Sequence, residues 1–358
     1  MNILYAVQAT GNGHISRAIE ILPFLQRYGN VDVFLSGSNS SLQTNRLPVR
    51  FRSKGISLFY GTGGGLNYWK TATSSNLLRA WKEARNLPVE NYSVIINDFE
   101  SITALACRLK GISSVNFGHQ ASFQSNCTPR PERTNVMGEW ILKNYAKASR
   151  YIGLHFQQYD QFICSPIIKE SVLYAQPADQ GHYCVYLPHY SDLVLMRKFQ
   201  RFKNIRFQIF SPRVKQQETH QNIQFLPVDH ASFTQSMILS SGVITGAGFE
   251  TPAEALYLGK KLLAFPIRGQ YEQLCNAAAL EQMGVTTHPD IQSMPVHEIL
   301  RWMQAAPSEP LHLNQTTASI IGKVMETAQF QENSCGKESL QQIATSLMLN
   351  PPALHLAE

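Results

Sequence analysis

The sequence predicts an α/β protein built from two units in tandem, each a parallel sheet with helices on both faces. Three observations lead there. Short apolar runs alternate with amphipathic stretches, the pattern of strands buried on both sides and joined by helices. That alternation starts afresh after about residue 160. Finally, 358 residues exceed what one ordinary core accommodates.

The first series has strands expected at Ile3–Val7, Val31–Leu35, from Phe51 onward, Ser93–Asn97 and Ser113–Phe117, with helices near 14–27, 75–86 and 101–110. In the first helix Ile15, Ala18, Ile19, Leu22 and Leu25 share one face. Pro23 is expected to kink or end it. Residues 128–150 mix basic, aromatic and proline residues, and are expected as a loop plus a helix near the cleft between the units. The second series runs through Tyr183–Leu187, Arg206–Phe210, Ile223–Leu226, Gly242–Thr245 and Lys261–Phe265. The expected units are 1–160 and 161–335, followed by a helical tail, 336–358, placed to fold back on the first unit.

Composition excludes several classes. An apolar share of 44% with 16% charged residues is a globular balance, not a disordered one. The six cysteines form no CxxC pair, which argues against a zinc site or a disulfide scaffold. Neither a spanning helix nor a signal peptide is legible, so a cytoplasmic protein is expected. Residues 1–160 carry a surplus of +8 charges, which fits an anionic partner as well as it fits a solvated surface.

After the first strand comes ATGNGHISRA, with Gly11, Gly13 and His14 at its tip. Glycines between a strand and a helix let backbone N–H groups and the helix dipole face an anion. A dinucleotide fingerprint would need a third glycine and an acid at the end of the second strand, where Leu35-Ser36-Gly37-Ser38 stands instead. The GK[ST] ending of an NTPase cradle is missing too. His14, in the first turn, can point into the crevice above the strand ends, where the dipole is expected to lower its pKa and leave it neutral. A capping or packing histidine reads equally well.

A denser signature occupies residues 243–284, VITGAGFETPAEALYLGKKLLAFPIRGQYEQLCNAAALEQMG. It resembles the nucleotide-sugar binding region of GT-B glycosyltransferases, whose pattern is GG–aromatic–x–[ST]–x–x–E–A, then G–x–P/K, then [DE]-Q-x-x-N-A. The matching positions are Ala247-Gly248-Phe249, Thr251, Glu254-Ala255, Gly259-Lys260, Pro266, Glu272-Gln273 and Asn276-Ala277. Alanine replaces the first glycine and slightly crowds the approach of a phosphate. The segments GFETPAEALYLGKKLL and GQYEQLCNA look like a bacterial and archaeal branch of glycosyltransferases related to the peptidoglycan N-acetylglucosaminyltransferases, with a family 28-like donor region. A tightly packed strand–helix–strand with polar caps is the alternative account, against which residue types, spacing and order all agree.

The resemblance implies a GT-B fold, two Rossmann-like domains whose sheets face a central cleft. It implies a nucleoside-diphosphate sugar donor, UDP-linked, on the second domain and the acceptor on the first. Donor contacts would come from Gly11, Gly13, Gly246, Ala247, Gly248, Phe249, Glu250, Thr251, Glu254, Gln270, Glu272 and Gln273. Glu254, one turn into its helix, could accept both ribose hydroxyls, and Glu272 and Gln273 could read the sugar. His14 would be the base. NDFESITALACRLKGISSVNFGHQ in the first half echoes the same branch and places Asp98, His119 and Gln120 at strand ends. Asp98 could orient His14 or cap the helix at Ser101. His119, with Gln120 on the acceptor side, could face the cleft or satisfy the core.

No DxD motif occurs, so neither metal nor cofactor is expected. The expected partners are the donor and a glycan, glycolipid or small-molecule acceptor, with no nucleic acid. Peripheral contact with the inner face of a membrane is held open by Trp140, Lys143, Asn144 and Lys147, which fall on one face if a helix runs through them. A non-hydrolysing UDP-sugar epimerase and a non-catalytic nucleotide-sugar binder are the rival functions.

Overall fold

The computed structural model describes residues 1–9, 12–37, 46–55 and 77–334. Gly11 and the tail 336–358 therefore lie outside the described residues.

The first unit begins with β1 (Asn2–Gln8), α1 (Asn12–Leu25), β2 (Asn30–Ser36) and β3 (Val49–Ser53). After α2 (Leu77–Asn86) come β4 (Val94–Asp98), α3 (Ser101–Lys110), β5 (Val115–Gly118), α4 (Val136–Asn144), β6 (Arg150–Leu154) and β7 (Ile163–Cys164). These strands pair in parallel in the order β3-β2-β1-β4-β5-β6-β7. The last strand lies just past the boundary expected at residue 160.

The second unit contains α5 (Glu170–Leu173), β8 (His182–Tyr186), α6 (Asp192–Phe199), β9 (Arg206–Ser211), β10 (Glu218–His220), β11 (Ile223–Pro227) and α7 (His230–Leu239). It continues through β12 (Gly242–Gly246), α8 (Glu250–Tyr257), β13 (Lys261–Phe265), α9 (Tyr271–Gln282), β14 (Thr286–Thr287) and α10 (Val296–Gln304). Its order is β10-β11-β9-β8-β12-β13-β14, parallel except for the edge strand β10. Helix α11 (Thr317–Ser334) returns to the first unit, against α1 and strands β4 to β6, and buries Ile320, Ile321, Val324 and Met325.

Both sheets have the order of an open doubly wound fold, in which the strand sequence reverses direction beside the first strand. In the first sheet the reversal lies between β1 and β4, and in the second between β8 and β12. The crevice beyond the strand ends at such a point accepts ligands because neighbouring helices diverge there. Strands β1 and β4 are apolar on both faces, as helices on each side demand; Ile3, Leu4, Tyr5, Ala6 and Val7 are all buried.

Helix α1 does not end at Pro23. The proline removes one donor and stands exposed in the last turn, so the disruption is confined to that turn and the helix reaches Leu25. Helix α4 stops at Asn144, so Lys147 does not share its face with Trp140. Trp140 is exposed, whereas Ile141 and Leu142 pack inward. Among the described residues no helix is long and apolar enough to cross a membrane.

Candidate functional site

The first half of the site is built on the ends of β1 and β4. The register sets Val7 beside Asp98, so the aspartate ends β4 level with the tip of β1. Helix α1 starts four residues past β1 and brings His14 and Arg17, three residues apart and hence on one face, over that end. His14 Nδ1 lies 2.8 Å from Asp98 Oδ1. Arg17 grips the same carboxylate through Nε at 3.2 Å and Nη2 at 2.7 and 2.9 Å. The Tyr5 hydroxyl donates to Oδ2 at 3.3 Å.

Asp98 is fully buried, and burial alone would raise its pKa. The charges of Arg17 and His14 and their hydrogen bonds outweigh that and hold it at about 2. Arg17 Nη2 also lies 3.1 Å from Nδ1, but the carboxylate is nearer and an ionised carboxylate only accepts, which assigns the His14 proton to Nδ1 and, in the neutral ring, leaves the Nε2 lone pair available. Burial also works against protonation of His14, yet the Asp98 charge and hydrogen bond prevail and its pKa is raised from 6.5. The lowering expected from the helix dipole is thus overturned by a closer carboxylate.

The helix at Ser101 has a different cap. The Glu100 carboxylate accepts from the N–H groups of Ile102 (2.8 Å) and Thr103 (2.6 Å), and Asn97 braces Glu100 through its backbone. Asp98 is free of that duty and serves His14. Between them Phe99 adopts φ +53°, a left-handed conformation that a bulky residue takes only under constraint. Gly118, at φ +150°, ends β5 beside the pair; a Cβ there would stand 2.8 Å from Asp98 Oδ1.

The second half lies at the ends of β12 and β13. Gly246 ends β12, Ala247 is buried, and Gly248 has open space where a side chain would be. Helix α8 follows, with Glu250 and Thr251 in its first turn and no side chain capping its N-terminus. Across β13, Gln270 and Gln273 are joined at 2.8 Å, and Gln273 also accepts from the Ile267 N–H at 2.9 Å. Gln273 Oε1 lies 3.5 Å from the Cβ position on Gly246, which brings the two signature segments together. Glu254 is buried and paired with Lys169 at 2.9 Å. Its burial, only partly offset by Lys169, raises its pKa to about 7.

The halves meet in a seam. Gln120 donates to Glu272 at 3.1 Å. The Tyr271 hydroxyl donates to Glu139 at 2.9 Å, and its ring fills the space that Gly138 leaves. Arg17 Nη1 pairs with the Glu250 carboxylate, which crowds Gly13 so closely that a Cβ there would be 2.6 Å from Oε2.

His119 is 1% exposed, stacked flat on Phe249 with ring centroids 4.1 Å apart. Its Nδ1 is 3.0 Å from the Leu154 carbonyl and its Nε2 2.8 Å from Asn276 Oδ1, and burial lowers its pKa. The geometry makes it a packing element of the seam, the core role left open above. Phe249 is buried with it, while Gly246, Gly248, Glu250, Thr251, Gln270, Glu272 and Gln273 stay partly open. Sequence reasoning missed Arg17, Tyr5 and Lys169. Only Arg17 left a signal, as a basic residue one turn after His14. Among the described residues no cluster of three His, Cys, Asp or Glu side chains could hold a metal.

A family-wide sequence profile, that of glycosyl transferase family 1, matches residues 1–307. No curated protein matches the chain. Among solved structures it is similar to LpCGTa in complex with UDP, at 14% identity and a TM-score of 0.55 over 97% of this chain and 98% of that one. Arabidopsis thaliana UGT89C1 complexed with UDP-L-rhamnose gives 13% identity and 0.55 over 96% and 98%. Acinetobacter baumannii MurG gives 14% and 0.51 over 98% and 99%. These likenesses establish the fold, two Rossmann-like domains of GT-B type.

Titration tests the pairing of His14 with Asp98. In the wild type His14 should titrate above 6.5 because Asp98 overcomes its burial. Asp98→Asn removes that charge and leaves burial and Arg17, which disfavour imidazolium, opposed only by the more distant Glu250 carboxylate, so the pKa should fall. Histidine NMR resonances followed against pH would show it; an unmoved His14 titration would disprove the coupling.

Proposed function

The chain belongs to glycosyl transferase family 1, and from that premise we propose that it transfers a sugar, with inversion and without a metal ion, from a UDP-linked donor to an acceptor hydroxyl. The observation that carries this reading is the His14–Asp98 pair set opposite the uncapped N-terminus of α8. His14 Nε2 would take the acceptor's proton as the acceptor oxygen attacks the anomeric carbon. The bond from that carbon to the diphosphate breaks, and its electron pair leaves with the diphosphate. Backbone N–H groups of residues 248–251 and the dipole of α8 would receive that charge, which is greatest in the transition state and is therefore stabilised most there.

Asp98 supports the step by holding the Nδ1 tautomer and by stabilising the imidazolium that forms. Lys169 fixes Glu254 Oε2, and the other oxygen would accept the ribose hydroxyls. Glu272, Gln273 and Gln270 would read the sugar from the end of β13. Gly11 and Gly13 would allow the phosphates to approach α1. Acceptor contacts are assigned to the first domain beside Gln120.

Incubation with labelled UDP-sugars tests the reading. Transfer or slow hydrolysis supports it, an altered sugar would mean epimerisation, and binding without product would mean a sensor. Turnover should survive a chelator, and it should rise with pH as His14, whose pKa lies above 6.5, becomes neutral. His14→Ala should lower turnover about 10²–10⁴-fold, the scale of a general base, with donor affinity near normal. A variant that keeps more than half the wild-type turnover would remove His14 from the chemistry.

Glu254→Gln keeps the shape of the side chain and spares Lys169 an empty neighbour. It should weaken UDP binding by about 1.5–3 kcal/mol, the worth of a charge-assisted hydrogen bond. Calorimetry that finds equal affinity would end the ribose assignment.

For the acceptor we propose an anionic or membrane-borne molecule. Support comes from the +8 surplus of the first 160 residues and from Val136, Met137 and Trp140, exposed on α4 near Lys143. Each basic residue near an anionic surface adds about 1 kcal/mol. Co-sedimentation with anionic vesicles, lost on adding salt, is the expected result. Protein left in the supernatant at low salt would point to a soluble glycan or small molecule.

A further inference from the structure

Arg17 uses only one edge of its guanidinium on Asp98. Nε and Nη2 form that clamp, while Nη1 reaches across the seam to the Glu250 carboxylate of the second domain. The Arg17 side chain is almost fully buried, whereas that of Glu250 is 25% exposed and can turn to solvent. One edge of the arginine is thus fixed, and the other holds a partner that can leave.

The place occupied by that carboxylate suits an anion of higher charge. It lies against the first turn of α1, where a Cβ on Gly13 would stand 2.6 Å from Oε2. It also hangs from the first residue of α8, whose N-terminus has no side-chain cap. A guanidinium edge and two helix N-termini converge there, each favouring negative charge. A carboxylate brings one charge, whereas a nucleoside diphosphate brings more charge and more acceptor oxygens.

We propose that Arg17 Nη1 binds the diphosphate of the donor, and that Glu250 holds its place until the nucleotide arrives and then swings outward. The inference rests on the donor reading above and adds a residue from the first domain that the sugar-nucleotide signature does not contain. Exchange of one anion for another leaves the Asp98 clamp intact, so His14 keeps its orientation through binding. It also makes the first domain sense the diphosphate directly, because the group that clamps Asp98, the partner of the base, would be touching the leaving group. As a plain interdomain ion pair, the contact would instead only steady the seam.

Calorimetry with UDP and with uridine, on the full-length wild type, Glu250→Gln and Glu250→Asp, separates these. A carboxylate that occupies the seat about nine-tenths of the time weakens apparent affinity about tenfold. UDP should therefore bind Glu250→Gln about tenfold more tightly. Glu250→Asp keeps the charge but is one methylene shorter, which weakens its hold on Arg17, so it should also tighten UDP several-fold. Uridine, which lacks phosphate, should bind all three alike. UDP binding to the wild type with no gain in either variant overturns the placeholder and leaves the donor reading standing. A gain in Glu250→Gln alone would assign the effect to general charge, and an equal gain for uridine to a loosened seam; both overturn it. If UDP binds none of the three, the donor reading itself fails and this inference falls with it.

Discussion

One buried charge organises the site. The Asp98 carboxylate has no exposure to solvent, and a buried charge costs several kcal/mol unless it is paired and hydrogen-bonded. Arg17, His14 and Tyr5 supply those partners, and each needs a particular backbone. Helix α1 has to begin where positions three apart both overlook β4. Strand β5 has to end in a residue without a side chain, because Gly118 lies against Oδ1. The chain has to leave β4 through Phe99 in a left-handed conformation and hand the capping of α3 to Glu100. The local irregularities at the ends of β4 and β5 are thus consequences of one requirement.

The same requirement sets the chemistry. Arg17 keeps Asp98 ionised, and an ionised Asp98 is the main group that raises the basicity of the partly buried His14, with Glu250 adding to it. Without the aspartate, burial and the nearby guanidinium would push the imidazole toward its neutral form, with only Glu250 opposing them. A base must be neutral to begin and must hold a proton well once it has taken it. In the proposed reading, in which His14 is the base, balancing Arg17 against Asp98 places it between those demands.

How much of this was legible depended on the range of the interactions. The strands came from local apolar patterning, so β1, β2, β4, β5, β8, β9, β11, β12 and β13 fall where the runs of apolar residues lie. The segment proposed to hold the donor carries its residue types in contiguous order, so Gly248, Thr251 and Glu254 could be singled out before their geometry was known. Long-range pairing left far weaker traces. Nothing local marks Arg17 as the partner of a residue 81 positions away, or Lys169 as the partner of Glu254. The strand β7 was hidden for a simpler reason: two residues carry no periodicity. The sign of the His14 shift was misread because a helix dipole is visible in sequence, whereas a carboxylate on another strand is not.

The two domains also differ in how they face the seam. The first presents side chains locked by mutual pairing, as Asp98, Arg17 and His14 are. The second presents backbone, at Gly246, Gly248 and the uncapped start of α8, with side chains arranged around it. That division matches what the two halves of a transfer require. A proton must be taken at one atom in one direction, which calls for a held imidazole. A leaving diphosphate spreads its charge over several oxygens, which suits several N–H dipoles that need not move. Glu254 belongs to neither pattern: buried with a single lysine, it is held near its protonation midpoint at neutral pH. When ionised, such a desolvated carboxylate is a stronger hydrogen-bond acceptor than an exposed one, because no water competes for it. A ribose hydroxyl that reached it would therefore be held firmly, and the nucleotide end of the donor would be anchored away from the reacting carbon.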